Sequence, residues 1–198
     1  SAVLRLKQAP KDFGGEVFVI NLSLGDINIP VSGQMSAWGR LIDYVAWKYN
    51  LLFIISAGNI VEGLSLATIK QPIQLTKLKD DERHLLFVTA VQAKMAHRSI
   101  FSPAEAINAL TVGASHSDGC SAAPSPYLIE PYSSEKFPSL ISGLGLGYKQ
   151  AVKPEVLNCG GRALYSYIAT ADGLMLVPGK AGRYFGQQGA GVASTTER

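Results

Sequence analysis

The chain has 198 residues, 47% of them hydrophobic and 17% charged, with 18 basic and 15 acidic side chains and a net charge of +3. That length suits a single domain, 1–198, with a full core and no need of metal or disulfide staples, and the composition excludes disorder as the general state. Lys and Arg never gather into a long run, so no nucleic-acid footprint is present. The longest run of large apolar residues, Leu51 to Ile55, falls far short of the ~20 that a membrane-spanning helix needs.

The first residues are Ser1-Ala2-Val3, with no initiator Met and no basic-then-apolar leader. This reads as a piece of a longer polypeptide. Cys120 and Cys159 are too few for a disulfide framework and too far apart for a zinc knuckle. Two reduced, partly buried thiols are the plain reading, and one bridge between them is the other.

Glu16 to Leu24, with Val17-Phe18-Val19-Ile20 at its centre, predicts a strand buried on both faces, the kind found in parallel sheets. It ends at Gly25-Asp26, and a polar loop runs to Met35. Trp38, Leu41, Ile42, Val45 and Tyr49 form one helical stripe, with Ser36 to cap its start and Asn50 to stop it. Leu51 to Ala57 is a second apolar strand, ended by Gly58-Asn59. Strand, helix and strand make a βαβ unit.

Residues 60–83 become polar, and the charges from Lys77 to Arg83 read as a solvated loop. His84 to His97 is helix-like. Ser102-Pro103-Ala104-Glu105 carries a capping box with Pro in the first turn, which predicts a short helix. Ala109 to Ala114 reads as a third strand, Ser115 to Gly147 as loop, and Pro154 to Leu157 as a short strand. Leu164–Ala169 and Leu174–Val177 flank Thr170-Ala171-Asp172-Gly173, an Asp-Gly hairpin.

In an open parallel α/β sheet, ligands bind beyond the carboxyl ends of the strands. Two such ends stand out, Ser23-Leu24-Gly25 and Ser56-Ala57-Gly58-Asn59. Both are small turns that let another backbone come close. Asn59 adds a neutral amide donor, able to bond an oxygen that gains charge in a tetrahedral intermediate. It could equally cap the strand end or tolerate a left-handed turn.

Asn21-Leu22-Ser23-Leu24-Gly25 and Ile55-Ser56-Ala57-Gly58-Asn59 resemble the central strands of the subtilisin-like serine proteases. The likeness continues through Ser102-Pro103-Ala104, Ala109 to Ala114, and Val152-Lys153-Pro154-Glu155-Val156, five stretches in the family's order. It implies an α/β fold, a three-layer sandwich around a mainly parallel sheet. Residues 60–101 would be an insertion longer than the family's usual one, carried on the rim away from the two strand ends. Asn59 matches the oxyanion-hole Asn. Ser23, Leu24 and Gly25 match the strand end that pairs with the substrate backbone. Ser56, Ala57 and Gly58 match a wall of the pocket for the residue before the scissile bond. Recognition through main-chain hydrogen bonds implies a peptide or protein substrate; no cofactor, no metal-ligand residues, no nucleic acid and no membrane are expected.

The mechanism also needs a Ser nucleophile, a His base and an orienting Asp. Asp118 and Asp172 each precede Gly directly, and His84, His97 and His116 are followed by Leu, Arg and Ser. None of these fits the family's Asp-Ser/Thr-Gly or His-Gly-Thr motif, and no Gly-Thr-Ser-x-Ala is present. The expectation is that Asp and His precede Ser1 and that Ser follows Arg198. The rest of the polypeptide would then complete the site, and the chain alone would be inactive. One alternative is a subtilisin-fold binding or scaffold module without catalysis. A nucleotide-binding domain is weaker still, because no glycine fingerprint follows the first strand. Gly63-Leu64-Ser65-Leu66-Ala67 misses a nucleophile elbow by one residue, and Gly186 to Gly191 lacks the Lys-Ser/Thr of a phosphate loop. His84 and His97 lie on different faces of a helix and form no metal site together.

Overall fold

Branched apolar residues make the strands, and in this computed structural model they assemble a mainly parallel α/β sheet. The structure describes residues 19–117, 128–132 and 137–178, together with the backbone of 187–188 and 196–197. The first strand, β1, is Val19–Leu22. After β2, Asp26–Pro30, comes α1, Ala37–Tyr49, and then β3, Leu52–Ser56. These deliver the predicted βαβ unit, with β1 and β3 parallel from Val19↔Leu52 to Leu22↔Ile55.

The chain clusters into two compact units. One takes Ser1–Gly58, Ser99–Gly113 and Gly143–Leu157; the other takes Asn59–Arg98, Ala114–Ser142 and Asn158–Arg198. In the first unit α1 is capped at both predicted residues. The Ser36 hydroxyl accepts from the Gly39 N–H at 2.9 Å, and Asn50 is left-handed at φ 53°. Its Ile42, Val45 and Ala46 pack with Phe53 and Ile55 of β3 in one core. The sheet order is β1-β3-β6-β9, where β6 is Ala109–Ser115 and β9 is Val156–Cys159. Phe53↔Ala109 to Ser56↔Val112 sets β3 parallel to β6. A short β5, Phe101–Ser102, pairs antiparallel with β2.

Two expectations need correction here. β1 is not buried on both faces: its residues alternate, with Val19 (54% exposed) and Asn21 on an uncovered face and Ile20 and Leu22 half-buried on the other. Residues 16–18 of the predicted strand lie outside the described residues. The predicted helix at Ser102 to Glu105 is absent: Ser102 ends β5 and Pro103 to Glu105 form turns, with Ala104 N–H bonded to Phe101 O at 2.9 Å and Ala106 N–H to Pro103 O at 3.0 Å. The Glu105 carboxylate is drawn elsewhere, accepting the Ser36 N–H at 3.0 Å. Tertiary hydrogen bonding thus overrides a local start signal.

In the second unit a three-stranded sheet has the order β10-β11-β4, where β4 is Leu64–Leu66, β10 Tyr165–Thr170 and β11 Gly173–Pro178. The predicted Asp-Gly hairpin is present, with Thr170↔Gly173 closing it. Helix α2 is Pro72–Lys77 and α3 is Asp80–Gln92. The charges read as loop run from the end of α2, at Lys77, into the first turn of α3. Asp80, Asp81 and Glu82 suit a helix N-terminus, and Glu82 accepts the Lys79 N–H at 3.0 Å. His84 of α3 is a core residue, its ring centroid 4.6 Å from that of Phe137. His97 lies beyond the helix, in a 3-10 turn, Met95–His97.

Tyr132 stacks on Phe137 with centroids 4.9 Å apart and meets His84, Phe87 and His116 edge-on. Burial pushes its hydroxyl pKa up to about 12, while the charge of Arg98 works the other way. The ordinary tyrosine value is ~10, so folding favours the protonated form. Stability from this group is complete below pH ~10 and is lost as pH climbs through the folded value. A two-unit difference is worth at most about 3 kcal/mol. The thermal midpoint of the wild type is therefore expected to fall more steeply between pH ~10 and ~12 than that of Tyr132→Phe. Parallel curves for the two proteins would contradict this.

Candidate active site

Because Leu22 stands beside Ile55 in register, the residues that follow leave the sheet side by side at its carboxyl edge. These are Ser23-Leu24-Gly25 after β1 and Ala57-Gly58 after Ser56, the last residue of β3. Ser23 and Leu24 are exposed, and Leu24 is 59% accessible. Among the described residues, Ser23 to Gly25 belong to no strand ladder. An extended peptide can be received along such an edge.

The second wall is fixed rather than open. Ala57 is 1% exposed. Its N–H donates to Val112 O at 3.0 Å, and its carbonyl accepts the Phe101 N–H at 3.2 Å. The Gly58 N–H donates to Ser56 Oγ at 3.2 Å, and its carbonyl accepts the Gly143 N–H at 3.0 Å. At φ +99°, Gly58 holds a conformation that L side chains rarely adopt, and a Cβ there would lie 3.0 Å from Phe101 Cγ. Phe101, which the sequence reading did not single out, therefore touches this wall. No local signal marks it, since its place depends on the β2–β5 pairing.

In the same unit a polar knot ties the loop before α1 to the turn after β5. Glu105 is fully buried. Besides the Ser36 N–H, its Oε1 is 3.4 Å from Ser102 Oγ, which in turn lies 2.7 Å from Ser36 Oγ. Gly39 is needed here for space, because a Cβ would sit 2.7 Å from the same carboxylate oxygen. The Gly inside α1, a mild cost to an isolated helix, makes room for Glu105.

Asn59 is described with the second unit. Its backbone forms an antiparallel bridge with Ser142, and the next N–H, of Ile60, donates to Ile141 O at 2.7 Å. The side chain is exposed. Among the described residues, the non-glycine positions with positive φ are Asn50, Lys149 and Gln150. Asn59 is thus not present to tolerate a left-handed turn, and its side chain faces solvent.

The rejected candidates are equally plain. Ser65 lies inside β4, opposite Met175, and not on a strand-to-helix elbow. His116 is 3% exposed; its Nδ1 accepts the Ala163 N–H at 3.3 Å, and its Nε2 is 3.4 Å from Glu130 Oε1. Asp172 sits in the β10–β11 turn. Asp118 and Cys120 lie outside the described residues, as do Gly186 and Gly189 to Gly191. Cys159 is a free, exposed thiol, with its sulfur 2.7 Å from Ser117 O.

Comparison with known proteins identifies the frame in which these residues stand. The model of the Subtilase family, Peptidase_S8, matches residues 6–190. The uncharacterized protein y4bN of Sinorhizobium fredii (strain NBRC 101917 / NGR234) is 29% identical over 167 residues, which cover 83% of this chain and 34% of that protein. Among solved structures, the prenylagaramide maturation protease PagA is 17% identical with a TM-score of 0.39, covering 89% of this chain and 42% of its own. The S41 psychrophilic protease is 20% identical with a TM-score of 0.38, covering 90% and 42%. The chain spans about a third of the curated relative's length and less than half of each solved chain. Matched by the family model over nearly its whole length, with the five stretches in order and the two strand ends side by side, this chain belongs to the subtilase family.

Proposed function

We propose that the whole protein is a serine endopeptidase of the subtilisin type, cleaving peptide bonds through an acyl-enzyme. In this reading Ser23 to Gly25 pair with the substrate backbone, and Ser56 to Gly58 wall the pocket for the residue before the scissile bond. Asn59 donates its side-chain amide to the oxyanion. The Asp, His and Ser of the triad come from elsewhere in the same polypeptide, since no residue of this chain stands in the family's triad motifs. The observation that carries the reading is the parallel register of β1 and β3, which leaves Ser23–Gly25 beside Ser56–Gly58 at the carboxyl edge of a subtilase-family sheet.

The experiment is active-site labelling of the whole protein with a fluorophosphonate, alongside casein hydrolysis. One serine outside residues 1–198 is expected to be labelled stoichiometrically, with loss of hydrolysis in proportion. Residues 1–198 alone are expected to take no label. A labelled serine within them would refute the division of the site. A whole protein that neither reacts nor hydrolyses casein would leave the non-catalytic scaffold as the better account.

A further inference from the structure

We propose that Phe101 limits the residue before the scissile bond to Gly, Ala or Ser. The inference deepens the reading above, because that reading supplies what the cleft binds. Its geometric basis is separate, and every residue in it belongs to the first unit.

A peptide lying along Ser23–Gly25 would send that side chain between the two backbone walls. The walls nearly meet. A Cβ built on Gly25 would stand 3.9 Å from Gly58 Cα, already van der Waals contact, and 3.2 Å from Phe101 Cβ. A Cβ built on Gly58 would meet the same ring, 3.0 Å from Cγ and 3.2 Å from Cε2. Both glycines therefore abut one phenylalanine, and the space that a deep pocket would need is filled by its side chain. An aromatic or long aliphatic side chain entering between the glycines would have to displace that ring.

The ring is not a core residue that happens to lie close. Phe101 is half-buried, whereas Phe53 and Phe87 are completely buried, so part of it faces the outside where a ligand arrives. Nor can it swing aside cheaply. Its N–H is bonded to Ala57 O at 3.2 Å, its carbonyl accepts the Ala104 N–H at 2.9 Å, and it pairs with Pro30 in the β2–β5 ribbon. The next residue, Ser102, is fully buried and is held by Ser36 and Glu105. The backbone cannot yield without breaking these bonds, and a side chain forced against the ring overfills a packed site at a cost.

The test uses the whole protein and two peptides of one sequence that differ in the last residue, Ala or Phe. Binding of these product-like peptides is measured by calorimetry, and hydrolysis of matched quenched substrates by fluorescence. The wild type is expected to favour Ala by about tenfold or more in both readouts. Phe101→Gly should reverse the preference. Phe101→Leu, which keeps most of the packing, should lie between, and circular dichroism confirms that each variant is folded. A wild type that accepts Phe as well as Ala overturns the proposal. So does a Phe101→Gly protein that loses affinity for both peptides equally, or a wild type that binds neither. Selective binding without hydrolysis or serine labelling would keep the role of Phe101 and remove the protease reading. Hydrolysis with a preference for Phe would do the opposite.

Discussion

Lys153→Met is expected to destabilise the first unit by about 3 kcal/mol, the largest stability effect of any single substitution considered. Lys153 is 3% exposed. Its Nζ donates to the carbonyls of Ala106 at 2.8 Å and Ala109 at 3.2 Å and lies 2.5 Å from Glu155 Oε1. The other oxygen of Glu155 accepts the Thr111 N–H at 2.8 Å. One ammonium therefore ties the turn before β6, the start of β6 and the segment before β9. Breaking a buried pair typically costs ~3–5 kcal/mol. The lower figure applies here because the Glu155 side chain is 36% exposed and water can take up part of its charge. For a domain of this size each kcal/mol moves the midpoint by ~2–4 °C, so a fall of roughly 6–12 °C is expected. The double variant Lys153→Met with Glu155→Gln should recover part of the loss, because it removes the stranded carboxylate. A midpoint for Lys153→Met within ~2 °C of wild type would show that the buried ammonium holds nothing together.

The legible part of the fold is the part whose physics is local. Ser36 and Asn50 announce the ends of α1 because capping and the left-handed stop use nothing beyond neighbouring backbone. The β10–β11 hairpin is legible for the same reason, its Asp172-Gly173 turn being flanked by apolar runs. Strands β3 and β6 show as apolar or alternating runs because the sheet buries them, with Phe53 and Ile55 fully enclosed.

The misreadings have two causes. Ser102 to Glu105 carries a helix-start pattern, but Glu105 finds the Ser36 N–H 69 residues away, and no local rule anticipates that partner. The charges from Lys77 to Arg83 read as a solvated loop when polarity alone is considered. The acid cluster followed by Leu85, Leu86 and Phe87 is equally the signature of a helix N-terminus, and that signal was available. Phe101 offered none. Its importance comes from Gly25 and Gly58 both lying against it, which only pairing between distant segments can arrange. The same holds for the candidate site as a whole. Small residues after two strands point to Ser23–Gly25 and Ser56–Asn59, while the register that sets Ser23–Gly25 beside Ser56–Gly58 comes only from the β1–β3 ladder.

Asn59→Ala in the whole protein is expected to lower kcat by ~10²–10³, about 2.7–4 kcal/mol of transition-state stabilisation, with KM little changed. That magnitude belongs to a subtilisin, a member of this family, and is carried over rather than obtained from this chain. The split between the two constants follows from the chemistry. In the proposed function the amide would meet a full negative charge only in the tetrahedral intermediate, so its removal should spare ground-state binding. The fold should tolerate the change. Asn59 is exposed, its bridge to Ser142 runs through the backbone, and its φ is not left-handed, so alanine adopts the same conformation without strain. A residue that merely ends β3 would behave in the reverse way, with a lowered thermal midpoint and full activity per folded molecule. Asn59→Asp sharpens the contrast. It is nearly isosteric but places a carboxylate where charge develops, so kcat should fall at least as far as in the alanine variant. Measuring kcat, KM and the midpoint on one preparation of each variant decides the matter. An unchanged kcat for Asn59→Ala beside a clearly lowered midpoint would remove Asn59 from the mechanism.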